Sequence, residues 1–200
     1  MRTVITSVLI GVGLWLGTQP AEAVRIDVDP LVSFVTPGST VKAAIRISEV
    51  GNLTAPSLGA FDLDVNFDPA ILALANAAFG DPVLGDQLDL FGLGSITAAM
   101  PGAGTINLFE LSLDAPADLE ALQRSPFMLA TLTFDTLSLG TSPLDVRVNA
   151  LADAFGDSLD ARIASGTVNV IPEASTWTFF AIGVIVLVGS AIRRRRSSAP

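Results

Sequence analysis

One segment near the centre of the chain alternates apolar and polar residues over eight positions. Every odd position from 61 to 67 is apolar, and every even position from 62 to 68 is Asp or Asn. Successive side chains of a β-strand point to opposite faces, so this pattern predicts a strand with one buried and one solvated face. The apolar positions are Phe61, Leu63, Val65 and Phe67, and the polar ones are Asp62, Asp64, Asn66 and Asp68.

Other short segments carry alternating or β-branched apolar residues and are separated by turn signals such as Pro37-Gly38 and Pro101-Gly102. This rhythm of strand and turn predicts an all-β fold, a β-sandwich. Two short segments, Pro69–Ala78 and Pro116–Gln123, have local helical character. The predicted strands are Thr40–Ile47, Phe61–Phe67, Gly104–Leu113, Phe127–Phe134, Leu144–Val148 and Ile163–Val170.

The first 23 residues are organised like a secretory signal peptide. Arg2 precedes an apolar run of 13 residues, Val4–Leu16, which is too short for a membrane-spanning helix. Ala21 and Ala23 place small residues at positions −3 and −1 of a cleavage site before Val24. We therefore expect residues 1–23 to be removed on export.

The C-terminal segment has the features of a membrane anchor. Residues from Trp177 to Ile192 are all apolar or small, and with the five preceding residues they reach about 30 Å as a helix. We predict a transmembrane helix over residues 175–192, followed by a cytoplasmic cluster of positive charge, which places the central domain outside the membrane. The cluster consists of Arg193, Arg194, Arg195 and Arg196.

Residues 171–200 together resemble the PEP-CTERM sorting signal of Gram-negative bacteria. Pro172, Glu173 and Ala174 precede the apolar helix and the Arg cluster in the order of that family, whose third motif position is Pro rather than Ala. The resemblance implies processing by an exosortase during export through the inner membrane. The protein would be C-terminally anchored before sorting and would then lie in the cell envelope, at the cell surface or in the extracellular matrix. An ordinary single-pass anchor is the alternative.

The composition of the central part excludes several functions. Residues 24–171 contain six basic and 18 acidic side chains, which repel the phosphates of nucleic acids. Cys and His are absent, so thiolate nucleophiles, Ser-His pairs, disulfides and most zinc sites are excluded. Glu110 interrupts an apolar run and is the most isolated acidic candidate for catalysis, but we expect it to be solvated. The domain is therefore predicted not to be an enzyme.

The domain at residues 24–170 resembles the cohesin domains over roughly Ile26 to Val170. The strand that ends at Asp68 is followed by an Asp-Pro-x-x-Leu turn, and Phe127–Phe134 is similar to the Leu-Ala-x-Leu-x-Phe strand of the second half of that family. The resemblance implies a nine-stranded jelly-roll sandwich and non-covalent binding, with a dockerin-like protein as partner. It identifies no contact residues.

The sequence leaves three non-catalytic functions open. The first is a cohesin-like binding module, and the second is a structural protein of the extracellular polysaccharide matrix. The third is a carbohydrate-binding accessory protein with an exopolysaccharide as ligand. Such proteins display aromatic platforms, yet Tyr is absent and both Trp residues, Trp15 and Trp177, lie in the terminal apolar segments.

Calcium is the one cofactor that the acidic segments suggest. Asp153, Asp157 and Asp160 lie in one loop and could converge on an ion, although turn formation also favours Asp there. A further acidic segment contains Asp81, Asp86 and Asp89. The alternating row that begins at Asp62 fails as an EF-hand loop, since Phe67 stands where Gly is needed.

Overall fold

The computed structural model describes residues 23–173, which form two packed β-sheets and one short helix. Within these residues there are eleven strands rather than the nine that the resemblance implied. In chain order the elements are β1 Val24–Asp29, β2 Val32–Val35, β3 Thr40–Ser48, β4 Leu58–Asn66, β5 Leu72–Phe79, β6 Ile96–Gly102, β7 Thr105–Leu111, α1 Pro116–Leu122, β8 Phe127–Thr136, β9 Gly140–Asp153, β10 Ala161–Ala164 and β11 Gly166–Val170.

The two sheets face each other across one hydrophobic core, as a sandwich requires. The five-stranded sheet has the order β10-β1-β3-β8-β5, and the six-stranded sheet has the order β2-β11-β9-β4-β7-β6. Phe67, which directly follows β4, and Phe134 of β8 meet edge-on with their ring centroids 5.1 Å apart. The predicted all-β sandwich is therefore confirmed.

The alternating segment is the central strand β4 of the six-stranded sheet, and its four apolar side chains are all buried. The Asp68-Pro69 turn ends it as predicted. Asp68 Oδ1 accepts the N–H of Ala70 at 2.8 Å, and the Asp68 carbonyl accepts the N–H groups of Ile71 and Leu72. This turn carries the chain from one sheet to the other.

The segment Pro69–Ala78, predicted to be helical, is instead the turn followed by strand β5. Its alanines favour a helix in isolation, but β5 pairs with β8 along its whole length and buries Leu72 completely. The helix predicted at Pro116–Gln123 is confirmed as α1. The single strand predicted at Ile163–Val170 is two strands, β10 and β11, which belong to different sheets.

The two ends of the domain lie side by side. Residues 24–35 and 161–170 run parallel, with β1 beside β10 in one sheet and β2 beside β11 in the other. The fold begins at Val24, which is fully buried. The N–H of Val24 donates a hydrogen bond to the Asp160 carbonyl at 2.9 Å. It ends at Val170, two residues before Pro172.

Several predicted features lie outside the described residues. These are most of the signal peptide with Ala21, the motif residue Ala174, Trp177 and the helix at 175–192, and the cluster Arg193 to Arg196. Among residues 23–173, no helix has the length and apolar character needed to cross a membrane.

Candidate functional site

Four neighbouring strands, β9, β4, β7 and β6, present a mixed polar and apolar surface on the outside of the six-stranded sheet. Directly paired residues share a face, so the register defines rows of side chains across these strands. We call this surface the outer face. Its rows are Ala60, Leu111 and Ile96; Asp62, Phe109 and Ala98; and Arg147, Asp64, Asn107 and Met100.

The part of the outer face on β9 and β4 is polar. Asn107 Nδ2 donates to Asp62 Oδ1 at 2.5 Å and to Asp64 Oδ1 at 2.9 Å. Asn149 Nδ2 donates to Asp62 Oδ1 at 3.1 Å. Hydrogen bonds from the Asn107 and Asn149 amides hold the pKa of Asp64 below its usual value, and the charge of Arg147 lowers it further. The face therefore presents fixed negative charge at neutral pH.

The part of the outer face on β7 and β6 is apolar. Met100 is 57% exposed, Ile96 is 50% exposed and Leu111 is 37% exposed. No residue of β6 is buried, and β6 pairs only with β7, so it forms an edge that extends beyond the core. Clustered apolar side chains on a surface mark interaction sites, and an open strand edge adds unpaired backbone groups.

The outer side of the five-stranded sheet carries a groove of about 590 Å³. It is lined mainly by small and polar side chains, among them Lys42, Ala44, Asn76, Thr131 and Thr133. It contains one partly buried aromatic side chain, Phe79, so it lacks the exposed planar platforms typical of sugar-binding sandwiches.

The loop of the predicted calcium site is stabilised by turn hydrogen bonds. Asp153 Oδ1 accepts the N–H groups of Phe155 and Asp157, both at 2.9 Å. The Asp160 carbonyl accepts the N–H of Val24. In the part of the chain that the structure describes, no three His, Cys, Asp or Glu side chains are grouped so as to hold a metal ion.

The expectation that Glu110 is solvated is wrong: it is only 1% exposed. It points inward because Glu110 has the same orientation on β7 as the buried Ile106 and Leu108. Ser95 Oγ donates to Glu110 Oε1 at 2.6 Å, whereas Glu110 Oε2 has no hydrogen-bond partner within the described residues. Burial, together with the neighbouring carboxyl groups of Asp86 and Asp89, raises the pKa of Glu110 to about 8, although the hydrogen bond from Ser95 lowers it.

Sequence reasoning found the acidic row of β4 but missed its partners. Asn107 and Asn149 are 45 and 87 residues from Asp62, so only the strand register brings their amides to it. The apolar strip was missed because β6 has few β-branched residues and contains Pro101, which is typical of loops and edge strands.

Comparison with solved structures places this arrangement of strands among known folds. A cohesin from Clostridium acetobutylicum is 21% identical, with a TM-score of 0.58 over 77% of this chain and 94% of that one. The fold is that of the cohesin domains.

Two further cohesin-fold structures have the same extent of similarity. A chain of a type I cohesin–dockerin complex from Clostridium thermocellum is 15% identical over 77% of this chain and 97% of its own, with a TM-score of 0.60. A non-cellulosomal cohesin from the archaeon Archaeoglobus fulgidus is 14% identical over 79% of this chain and 98% of its own, with a TM-score of 0.57. No family model matches the sequence, and no curated protein matches it.

Proposed function

We propose that this chain is an exported, surface-sorted and non-catalytic binding module that binds another protein through the outer face of its cohesin fold. The observation that carries the proposal is the apolar strip on β6 and β7 beside the acidic and amide cluster of β4. Cohesin structures that share the fold are in complex with dockerins, which supports a protein as the ligand.

The chemistry of the outer face specifies the kind of partner. The strip of Ile96, Met100 and Leu111 suits aliphatic side chains, and the carboxylates of Asp62 and Asp64 suit Lys, Arg or amide donors. A helix that has an apolar stripe flanked by basic residues satisfies both requirements. We therefore propose a dockerin-like helical protein as the partner.

The lack of Cys and His and the burial of Glu110 support a binding role. The sequence has no Cys or His, and the buried Glu110 has no access to solvent from which a substrate could approach. Carbohydrate binding is a weaker alternative because residues 23–173 contain neither Trp nor Tyr.

The sorting part of the proposal rests on the C-terminal sequence. Pro172-Glu173-Ala174 follows directly after the fold, and the apolar segment and Arg cluster complete a signal for an exosortase. After export through the inner membrane, the domain would be retained by this tail until it is processed. It would then act in the cell envelope, at the cell surface or in the extracellular matrix.

A binding assay tests the role of the outer face. The full chain, purified in a non-ionic detergent, is used to capture proteins from the host envelope, and the affinity of each captured protein is measured by calorimetry. Met100→Asp places charge in the apolar strip and is expected to weaken binding at least tenfold, roughly 1.4 kcal/mol or more. The matched control is Leu122→Asp on α1, where a similarly exposed side chain lies off this face. Equal binding by both variants would contradict the proposal.

A second experiment tests sorting. The intact mass and the cell fraction of the protein are compared in host strains with and without the exosortase. Loss of the residues after the Pro172-Glu173 motif only in the strain with the enzyme supports sorting. A tail that still ends at Pro200 in both strains shows an ordinary membrane anchor instead.

A further inference from the structure

A partly buried acidic cluster lies where β7 meets the segment that joins β5 to β6. Glu110 projects from β7 towards that segment, and the carboxyl group of Asp86 lies within hydrogen-bond range of Glu110. Asp89 is close enough for its charge to act on Glu110. Glu110 is therefore buried beside one carboxyl group and within reach of the charge of a second, while Asp86 and Asp89 are themselves only partly buried.

No positive charge balances these acidic groups within the described residues. There, the one ion pair within 4.0 Å joins Arg25 to Asp27 on the five-stranded sheet. None of the groups that shift the pKa of Glu110 is basic. A buried carboxylate without a partner is strongly destabilising, so the cluster needs a proton or a cation.

The unpartnered oxygen indicates where that positive charge belongs. Glu110 Oε1 accepts a hydrogen bond from Ser95, but Glu110 Oε2 is buried and has no partner in the described part of the chain. Asp86 Oδ1 accepts the N–H of Leu88 at 2.9 Å, which holds its carboxyl group in place. One oxygen of each carboxyl group thus accepts a hydrogen bond from the protein, and Oε2 of Glu110 is left without one.

We propose that Glu110 and Asp86, with the hydroxyl of Ser95, bind a hard divalent cation, Ca²⁺, which holds the segment between β5 and β6 against β7. Ca²⁺ takes six to eight oxygen ligands, so backbone carbonyl groups and water complete its coordination. Asp89, whose Oδ1 accepts the N–H of Gly94, adds negative charge at the rim.

The site differs from the calcium loop predicted at Asp153. There, turn hydrogen bonds from two backbone N–H groups occupy Asp153 Oδ1, and no buried oxygen of that loop is without a partner among the described residues. The cluster at Glu110 combines an unpaired buried carboxyl oxygen with a second carboxyl group beside it. The ion would also fix the start of β6, so calcium would order the edge of the outer face.

The test uses the full chain in non-ionic detergent, freed of metal with a chelator. It is titrated calorimetrically with CaCl₂ up to about 10 mM, a concentration above the Kd of the weakest extracellular calcium modules. The wild type is expected to bind one ion per chain. When the free Ca²⁺ concentration is ten times the Kd, the melting temperature of the wild type should rise by about 4 °C. Circular dichroism follows the melting, because the described domain has no Trp or Tyr to report by fluorescence.

Two variants and one control decide the assignment. Glu110→Gln is expected to abolish the heat of binding and the calcium-dependent rise in melting temperature. It should still melt at or above the metal-free wild type, since its neutral amide replaces a carboxyl group whose pKa is about 8. Asp86→Asn should weaken binding at least tenfold if Glu110→Gln fails to fold. Asp153→Asn removes the same charge elsewhere and should bind like the wild type. The proposal would be overturned if the wild type bound no Ca²⁺, or if Asp153→Asn lost as much affinity for Ca²⁺ as the variants of Glu110 and Asp86.

Discussion

Gln123 offers the sharpest test of how the domain is held together. Its side chain is fully buried after the end of α1 and reaches across to strand β4. Gln123 Oε1 accepts the N–H of Leu58 at 2.6 Å, and Gln123 Nε2 donates to the Leu58 carbonyl at 2.9 Å. Nε2 also donates to the Gln87 carbonyl at 3.0 Å, so one side chain joins the helix, the sheet and the segment before β6.

The perturbation is Gln123→Met, which keeps the length of the side chain and removes all three hydrogen bonds. Each lost bond leaves a buried backbone group unpaired, at about 1 to 1.5 kcal/mol. Three such losses reach about 4 kcal/mol. Burial of the thioether in place of the amide offsets about 1 kcal/mol. The expected loss in the free energy of unfolding is therefore about 3 kcal/mol, or about 9 °C in melting temperature for a domain of this size.

The assay is urea denaturation followed by far-ultraviolet circular dichroism, with Leu122→Met as the control. Leu122 precedes Gln123 and is 46% exposed, so its substitution should change stability by less than about 0.5 kcal/mol. Gln123→Glu keeps only the acceptor at neutral pH and should regain stability in acid as the carboxyl group becomes protonated. If Gln123→Met lowered the free energy of unfolding by less than about 1 kcal/mol, the claim that these three hydrogen bonds stabilise the domain would be refuted.

Three further predictions follow from the structure. In metal-free buffer, Glu110 binds its proton more tightly in the folded chain than in the unfolded chain, with a pKa of about 8 against an ordinary 4.5. Its contribution to stability is therefore complete below about pH 4.5 and is lost as the pH rises through 8. Urea denaturation should show this fall in stability in the wild type and not in Glu110→Gln. Burial raises the pKa of Asp81, but hydrogen bonds from the backbone N–H groups of Leu84, Val83 and Met128 outweigh it and bring the pKa below the ordinary value. The contribution of Asp81 to stability is therefore lost as the pH falls below about 4. Asp81→Asn should lose less stability in acid than the wild type, measured by the same urea denaturation. Gly59→Ala would place a Cβ against the Asp153 carbonyl oxygen and should cost about 3 kcal/mol or more. Gly38→Ala, with open space around it but a φ of +77°, should cost only about 1 kcal/mol in the same assay.

The sequence was sufficient to predict the all-β sandwich because its strongest strand signals are local. The alternation in β4 and the Asp68-Pro69 turn depend on neighbouring residues, and both are confirmed. The helix predicted at Pro69–Ala78 was wrong because pairing with β8, which follows about 50 residues later, outweighs the local preference of its alanines. Edge strands such as β6 have weak patterns because they bury nothing.

The candidate sites were harder to predict, since they depend on which face of a strand a residue occupies and on distant partners. The acidic row of β4 was found, but the amides that organise it come from β7 and β9. Glu110 was predicted to be solvated because a charge in an apolar run is usually exposed. Its burial depends on the inward register of β7 and on Ser95 and Asp86 from another segment.

The parallel course of the two chain ends determines how the domain responds to tension. The segments 24–35 and 161–170 both begin at the pair Val24 and Ala161, and both end at the pair Val35 and Val170. A load pulling residues 24 and 170 apart therefore acts along the strands from opposite ends. It shears the hydrogen bonds of both terminal strand pairs together instead of opening them one at a time. The domain is consequently built to resist mechanical extension through its two ends.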